Sequence, residues 1–210
     1  MNDRQLAFQK IYENAYWGAE HLSGSGSTLD STKLVRSVIE RVVIEYRVSS
    51  LVDVACGDMV WMPLVVEEVR RSGMALDYLG CDIVDSLIVQ HRQTYPNLRF
   101  QHLDFVDGEI PKADLIICRE ALQHLPVRDI ISALRNFSLS GAKYLLAMIH
   151  LRRTGIGNWL SGKTGRCRDR NLLLAPFNLP NPLCIFPEEL GEKDKFIALW
   201  QLPFRPVGSP

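Results

Sequence analysis

Leu51-Val52-Asp53-Val54-Ala55-Cys56-Gly57-Asp58 is the stretch that decides the fold. A short apolar run carries one carboxylate, Asp53, into a tight turn of small residues. The following Val60-Trp61-Met62-Pro63-Leu64-Val65-Val66-Glu67-Glu68-Val69 is compatible with a helix. Strand, small-residue turn and helix form the opening unit of nucleotide- and nucleoside-binding α/β folds, where bare amides and a helix N-terminus face the ligand. A pyrophosphate-binding turn requires Gly-x-Gly-x-x-Gly, so that the backbone can close on the phosphates. The turn here holds a single glycine, Gly57, which suits a ligand without a pyrophosphate.

Working outward, the same alternation repeats. Asp3 to Trp17 places Leu6, Phe8, Ile11, Tyr12 and Tyr16 at helical spacing, the pattern of a lid that lies against something else. After the polar link Ser23-Gly24-Ser25-Gly26-Ser27, the run Ser27-Thr28-Leu29-Asp30 fits a capping box for a helix carrying Val35, Val38, Ile39, Val42 and Val43. Tyr78 to Cys81 reads as a second strand stopping at Asp82, with a helix from about Asp85 that ends before Pro96. Leu98 to Leu103 ends at Asp104, and Asp114 to Cys118 is a fourth strand, with a helix restarting at Pro126, where proline suits a first turn. Lys143 to Ile149 is a fifth strand. Strands alternating with helices predict a parallel sheet. Residues 151–182, rich in Gly, Asn, Arg and Pro, break the rhythm and predict a long functional loop with short helical pieces. Two closing runs, Leu183–Phe186 and Phe196–Leu202, are separated only by a short turn around Gly191, so they form an antiparallel hairpin.

Composition bounds the rest. The 210 residues suffice for one core, and 47% hydrophobic with 23% charged residues is ordinary for a globular domain. A formal net charge of zero argues against long nucleic acids and against a membrane partner. Cys56, Cys81, Cys118, Cys167 and Cys184 are scattered singly, the pattern of reduced, buried thiols and not of a disulfide frame or a zinc site. With no apolar leader after Met1 and no run near the ~20 residues of a membrane span, the expectation is a soluble, cytoplasmic chain.

Five parallel strands finished by an antiparallel hairpin resemble the class I methyltransferases that use S-adenosyl-L-methionine, over roughly Ser49 to Leu202. The motif Cys56-Gly57-Asp58-Met59-Val60-Trp61-Met62, with Tyr16-Trp17-Gly18 upstream, looks like one branch of that family. The resemblance implies a Rossmann-like, doubly wound sheet of seven strands in the order 3-2-1-4-5-7-6. It also implies an N-terminal cap over residues 1–30 and a single methyltransferase domain over residues 31–210. In the family's Asp-x-Gly-x-Gly-x-Gly turn this chain has Asp53, Ala55, Gly57 and Met59. Met59 would then put a bulky side chain near the methionine part of the cofactor. By the same resemblance Asp53, Ala55, Cys56, Gly57 and Asp58 form the cofactor turn, Asp82 holds the ribose and Ile83 covers the adenine. Asp104 reads the adenine amine beside Phe105, and Arg119 belongs to the cofactor site. A carboxylate suits a ribose because it accepts both hydroxyls in charge-assisted hydrogen bonds.

Arg119-Glu120-Ala121-Leu122-Gln123-His124 follows the fourth strand, at the edge that faces the transferred methyl group in the family. Glu120 and His124 share a face if that stretch is helical, and His124 then serves as a base for an acceptor hydroxyl, with His150 as a competing base. Gly157 to Thr164 matches the nucleotide-triphosphate loop letter for letter, but it lies several residues after its strand and before a poor helix start, so the match is read as chance. Arg152, Arg153, Lys163, Arg166, Arg168 and Arg170 face only Asp169, a solvated loop or a grip for an anionic acceptor, with Trp159 as a stacking face. The expected function is methyl transfer to a small-molecule or glycan-like acceptor, at oxygen and without a metal. The rivals are a methyltransferase-like module that binds cofactor without transfer, and a nicotinamide-dependent oxidoreductase.

Overall fold

The structure is a computed structural model and describes residues 2–159, 162–188 and 194–204. In chain order its elements are α1 (Asp3–Glu13), α2 (Lys33–Glu45), β1 (Ser50–Val54), α3 (Met62–Arg71), β2 (Asp77–Asp82), α4 (Asp85–Thr94) and β3 (Arg99–His102). They continue as β4 (Leu115–Cys118), α5 (Val127–Leu139), β5 (Tyr144–His150), α6 (Gly155–Asn158), β6 (Cys184–Pro187) and β7 (Lys195–Gln201). One seven-stranded sheet runs β3-β2-β1-β4-β5-β7-β6. The first five strands are parallel, and β7 lies antiparallel between β5 and β6. This is the order and the hairpin that the sequence led us to expect.

Strand periodicity divides the core. Val52, Val54, Ile116, Cys118, Leu145 and Ala147 face α5, whose Ile130, Ala133, Leu134 and Phe137 are buried against them. Leu51, Leu115, Ile117 and Leu146 face the other way, onto α2 and α3 through Val35, Ile39, Val42, Val65, Val66 and Val69. Each fully buried side chain of this size contributes about 1.5–3 kcal/mol of transfer free energy, enough to fix which face of each helix turns inward. The chain reverses its strand order between β1 and β4, and there the carboxyl ends part into a crevice.

Several local expectations are corrected. No capping box forms at Ser27: residues 25–27 make a single 3-10 turn, the Thr28 hydroxyl accepts the Ser31 amide, and α2 starts only at Lys33. The Thr32 hydroxyl and amide both donate to the Thr28 carbonyl, so these groups are used up in a local turn. Met62 opens α3, which lengthens the turn after β1 by two residues, and Pro126 is the N-cap of α5 rather than part of its first turn. The N-terminal helix stops at Glu13, leaving Tyr16 and Trp17 beyond it. The stretch 151–182 is a loop with one short helix, α6, as expected, but its described part is packed down: Leu172, Phe177 and Leu179 enter the core, and the side chain of buried Asn158 donates to the Asn171 carbonyl and accepts its amide. Cys167 is exposed, against the expectation of uniformly buried thiols; all five cysteines are free. The Gly191 turn of the hairpin lies outside the described residues.

Candidate active site

The crevice at the carboxyl ends of β1, β2 and β4 encloses about 720 Å³ with its mouth counted. Its floor is the β1 turn. Gly57 has φ +61, and a Cβ there would stand 2.5 Å from the Ser23 hydroxyl, so both backbone conformation and space require glycine. The Gly57 amide donates to Asp82 at 3.0 Å, the Val84 amide donates to the other Asp82 oxygen at 3.0 Å, and His91 Nε2 donates to the Gly57 carbonyl at 2.7 Å. Burial holds the Asp82 carboxyl above its ordinary range, the two amides opposing it. Asp53 is buried beside it and accepts the Tyr78 hydroxyl at 2.9 Å. Burial pushes its carboxyl up to about 7.

A lid closes the crevice. Phe8 and Tyr12 of α1 pack on Ile83, Val84 and Leu87, and both line the cavity. No residue of α1 is itself buried, so the lid is held largely by its ends. Arg4 reaches Asp104 at 2.9 Å, Asp129 at 2.7 Å and Asp107. At the other end the Ser23 hydroxyl meets the Tyr12 hydroxyl at 2.8 Å and accepts the Asp58 amide at 2.9 Å, while the Ser23 amide donates to the Asp58 carboxylate at 3.0 Å. Ser23 thus joins lid to turn.

The remaining wall comes from the segment after β4. Arg119 is buried, donates to the Gly26 carbonyl at 2.9 Å, pairs with Glu188 at 2.6 Å and lies 5.4 Å from the Trp61 ring. Glu120 has φ +53 and is followed by a 3-10 turn at Leu122–His124, so it and His124 do not share an α-helical face as expected. Both line the cavity all the same. Glu120 pairs with Lys195 and accepts from Gln123; burial opposes its charge, but Lys195 and Arg119 outweigh it and hold the carboxyl below its ordinary range. His124 lies against Trp17, the two rings tilted with centroids 4.6 Å apart, and Nδ1 lies 3.3 Å from the Gly165 carbonyl. A carbonyl can only accept, so Nδ1 carries the proton. Burial lowers the His124 pKa from its ordinary 6.5. At neutral pH the ring is therefore uncharged with Nε2 as its basic nitrogen.

A second, polar hollow adjoins the first. It is bounded by Ser25, Gly26, Ser31, Cys167 and Lys195, and the two share Trp17, Ser23, Glu120 and His124. No protein-family model matches the chain, and no curated protein matches it in sequence. Its architecture, however, is similar to several solved structures. Magnesium protoporphyrin IX methyltransferase from Synechocystis PCC 6803 with bound SAM superposes with a TM-score of 0.65 at 11% identity, over 97% of this chain and 98% of that one. Human N-acetylserotonin methyltransferase in complex with SAM gives 0.56 at 16% identity, over 80% and 52%. The mitomycin 7-O-methyltransferase gives 0.54 at 16%, over 80% and 54%. The chain spans about half the length of these last two. It has the class I methyltransferase fold.

Within this methyltransferase fold the expected residues fall into two groups. Asp53, Ala55, Cys56, Gly57, Asp58, Asp82, Ile83, Phe105, Arg119, Glu120 and His124 converge on one cavity. Asp104 does not: its carboxylate is taken by Asn2, Arg4 and the Val106 amide, in the cluster that anchors the lid. Met59 also stays out, contrary to the expectation that it would crowd the site. Its φ of +59 turns the side chain into the core, 1% exposed, where its sulfur accepts the Tyr78 hydroxyl at 3.3 Å. His150 is a structural residue, its Nδ1 accepting the Arg170 amide. Gly157 to Thr164 does not form a phosphate loop, since α6 begins before it; Leu160 and Ser161 lie outside the described residues. Sequence reading missed Tyr78 and His91 as supports of the site. Tyr12 fell in the helix marked as a lid, Ser23 in the linker read either as a flexible joint or as a segment that closes over the cofactor, and Trp61 in the quoted turn motif.

Proposed function

We propose that this chain is an S-adenosyl-L-methionine-dependent methyltransferase acting on a small, polar acceptor at oxygen. The observation that carries the reading is the junction of the two cavities at a neutral histidine whose Nδ1 proton is already committed. The residues present fit the cofactor. Asp82 retains lone pairs for a ribose diol, the small-residue turn of Ala55, Cys56 and Gly57 lines the cavity where an aminoacyl group would lie, and Ile83, Phe105 and Ala121 supply an apolar wall for adenine. When bound, the cofactor supplies a methyl group carried on a sulfonium. His124 Nε2 takes the acceptor's hydroxyl proton as the oxygen takes the methyl group, and Trp17 holds the imidazole face. Ser25, Ser31 and Glu120 around the polar hollow favour a hydroxylated acceptor, glycan-like in chemistry. With Met59 out of the cavity, one of the two features that favoured a non-catalytic module is gone, while Ala55 still stands in a glycine position of the turn, and the single-glycine turn still opposes a nicotinamide cofactor.

Isothermal titration with S-adenosylmethionine and S-adenosylhomocysteine, beside Asp82→Ala, tests the first half. Binding that collapses in the variant supports it, and no heat with either ligand overturns it. Methyl transfer to a panel of hydroxylated acceptors, lost in His124→Asn while cofactor binding persists, tests the second.

A further inference from the structure

Ile156 is 84% exposed and Trp159 60%, an unusual pair on a segment otherwise tied down. They stand three residues apart at α6 and its C-cap, so one side of that turn presents both. The turn is braced from behind. Buried Asn158 donates to the Asn171 carbonyl at 2.7 Å and the Ala175 carbonyl at 3.0 Å, and Thr154 caps the Gly157 amide. The apolar tip is therefore held outward by structure. Exposed Arg152, Lys163 and Arg166 come from the same segment. Among the described residues its acidic neighbours are engaged: Asp169 pairs with Arg153 at 2.7 Å and stands 3.5 Å from His150 Nε2, and Asp194 accepts the Arg152 amide. A chain of zero formal charge thus has a local positive field around an exposed apolar tip.

The position of this tip is also specific. The segment leaves the carboxyl end of β5, the same sheet edge on which β1, β2 and β4 open the cavity. It returns to the mouth at Gly165, whose amide donates to the His124 carbonyl at 2.8 Å.

We propose that Ile156 and Trp159, flanked by Arg152, Lys163 and Arg166, dock this protein on an anionic phospholipid bilayer. An indole settles at the headgroup level with its N–H hydrated, the isoleucine reaches the acyl boundary, and the cations meet lipid phosphates and carboxylates. Two apolar side chains hold a surface only weakly, so the association is reversible and salt-sensitive. It concerns the membrane surface alone: no helix among the described residues is long and apolar enough to cross a bilayer. Zero net charge, which argued against a membrane partner, averages away this local asymmetry.

Co-sedimentation of the full chain with phosphatidylcholine vesicles, with and without phosphatidylserine, decides the matter. Binding is expected only with phosphatidylserine, reversed by salt and accompanied by a blue shift in tryptophan emission that Trp159→Phe abolishes. Ile156→Ser with Trp159→Ser should abolish sedimentation, and Arg152→Glu with Lys163→Glu should weaken it by about tenfold or more. Both pairs lie outside the core, so far-UV circular dichroism and thermal midpoint should be unchanged. Absence of binding to either vesicle overturns the proposal, as does binding that survives loss of Ile156 and Trp159. A Trp159-dependent dimer without vesicle binding also overturns it and assigns the tip to a second copy. The assay needs no turnover, so its outcome is independent of the proposed reaction.

Discussion

Replacing Gly57 by alanine should be among the costliest small changes available to this protein. A φ of +61 costs an alanine roughly 1–2 kcal/mol. The new Cβ would stand 2.5 Å from the Ser23 hydroxyl, which must retreat. Retreat loosens its contacts with the Tyr12 hydroxyl and the Asp58 amide, each worth about 0.5–1.5 kcal/mol. Together these give a loss of about 2–5 kcal/mol in the free energy of unfolding. Ser23→Ala removes the obstructing oxygen and both bonds beforehand. In that background Gly57→Ala should add only the backbone cost of about 1–2 kcal/mol. Urea unfolding of the four proteins in the cycle measures the difference, and titration with S-adenosylhomocysteine should show weakened binding in Gly57→Ala. A cost below about 0.5 kcal/mol, or equal costs in both backgrounds, would refute the claim that lid, hydroxyl and turn are one packed unit.

Other perturbations probe separate parts of the site. Asp53, raised by burial to about 7 from an ordinary 3.8, contributes stability that is full below about pH 4 and lost as pH rises through about 7. Asp53→Asn should flatten that decline in thermal midpoints measured across the interval, whereas an unchanged slope would place the effect elsewhere. His124→Asn should lower turnover by about 10²–10⁴ with cofactor affinity intact, and the wild-type rate should rise with pH through a midpoint below His124's ordinary 6.5. Arg4→Met leaves Asp104, Asp107 and Asp129 facing one another without their cation. Hydrogen exchange in α1 should accelerate and stability fall by about 1–3 kcal/mol; unchanged protection of α1 would show that Phe8 and Tyr12 suffice to hold the lid.

How far the sequence spoke depended on the range of the interaction. Asp53, Gly57 and Asp82 were legible because strand ends and turns are written in consecutive residues, and the hairpin strands were found to within a residue because a short gap permits no crossover. Met59 was misread because its left-handed conformation, not its size, sets where the side chain goes, and no neighbouring letter announces that conformation. Asp104 looked like a ligand group after a strand; its capture by Arg4 spans a hundred residues of chain and leaves no local trace. The capping box at Ser27 failed for a nearer reason, since Thr28 and Thr32 offered the backbone a competing turn.

Arg119 draws together parts of the chain that have no other reason to change in step. Its guanidinium touches the serine-glycine linker through Gly26, the opening of α3 through Trp61 and the end of the edge strand β6 through Glu188, whose carboxyl burial raises to about 7. A lineage that alters β6 to fit a new neighbour must therefore also revise the wall beside the reacting groups, or carry an unmatched buried ion. Among descendants of this chain, Glu188 and Arg119 should be kept or lost as a couple, and selection acting at the far edge of the sheet would surface as drift in which molecules the protein accepts.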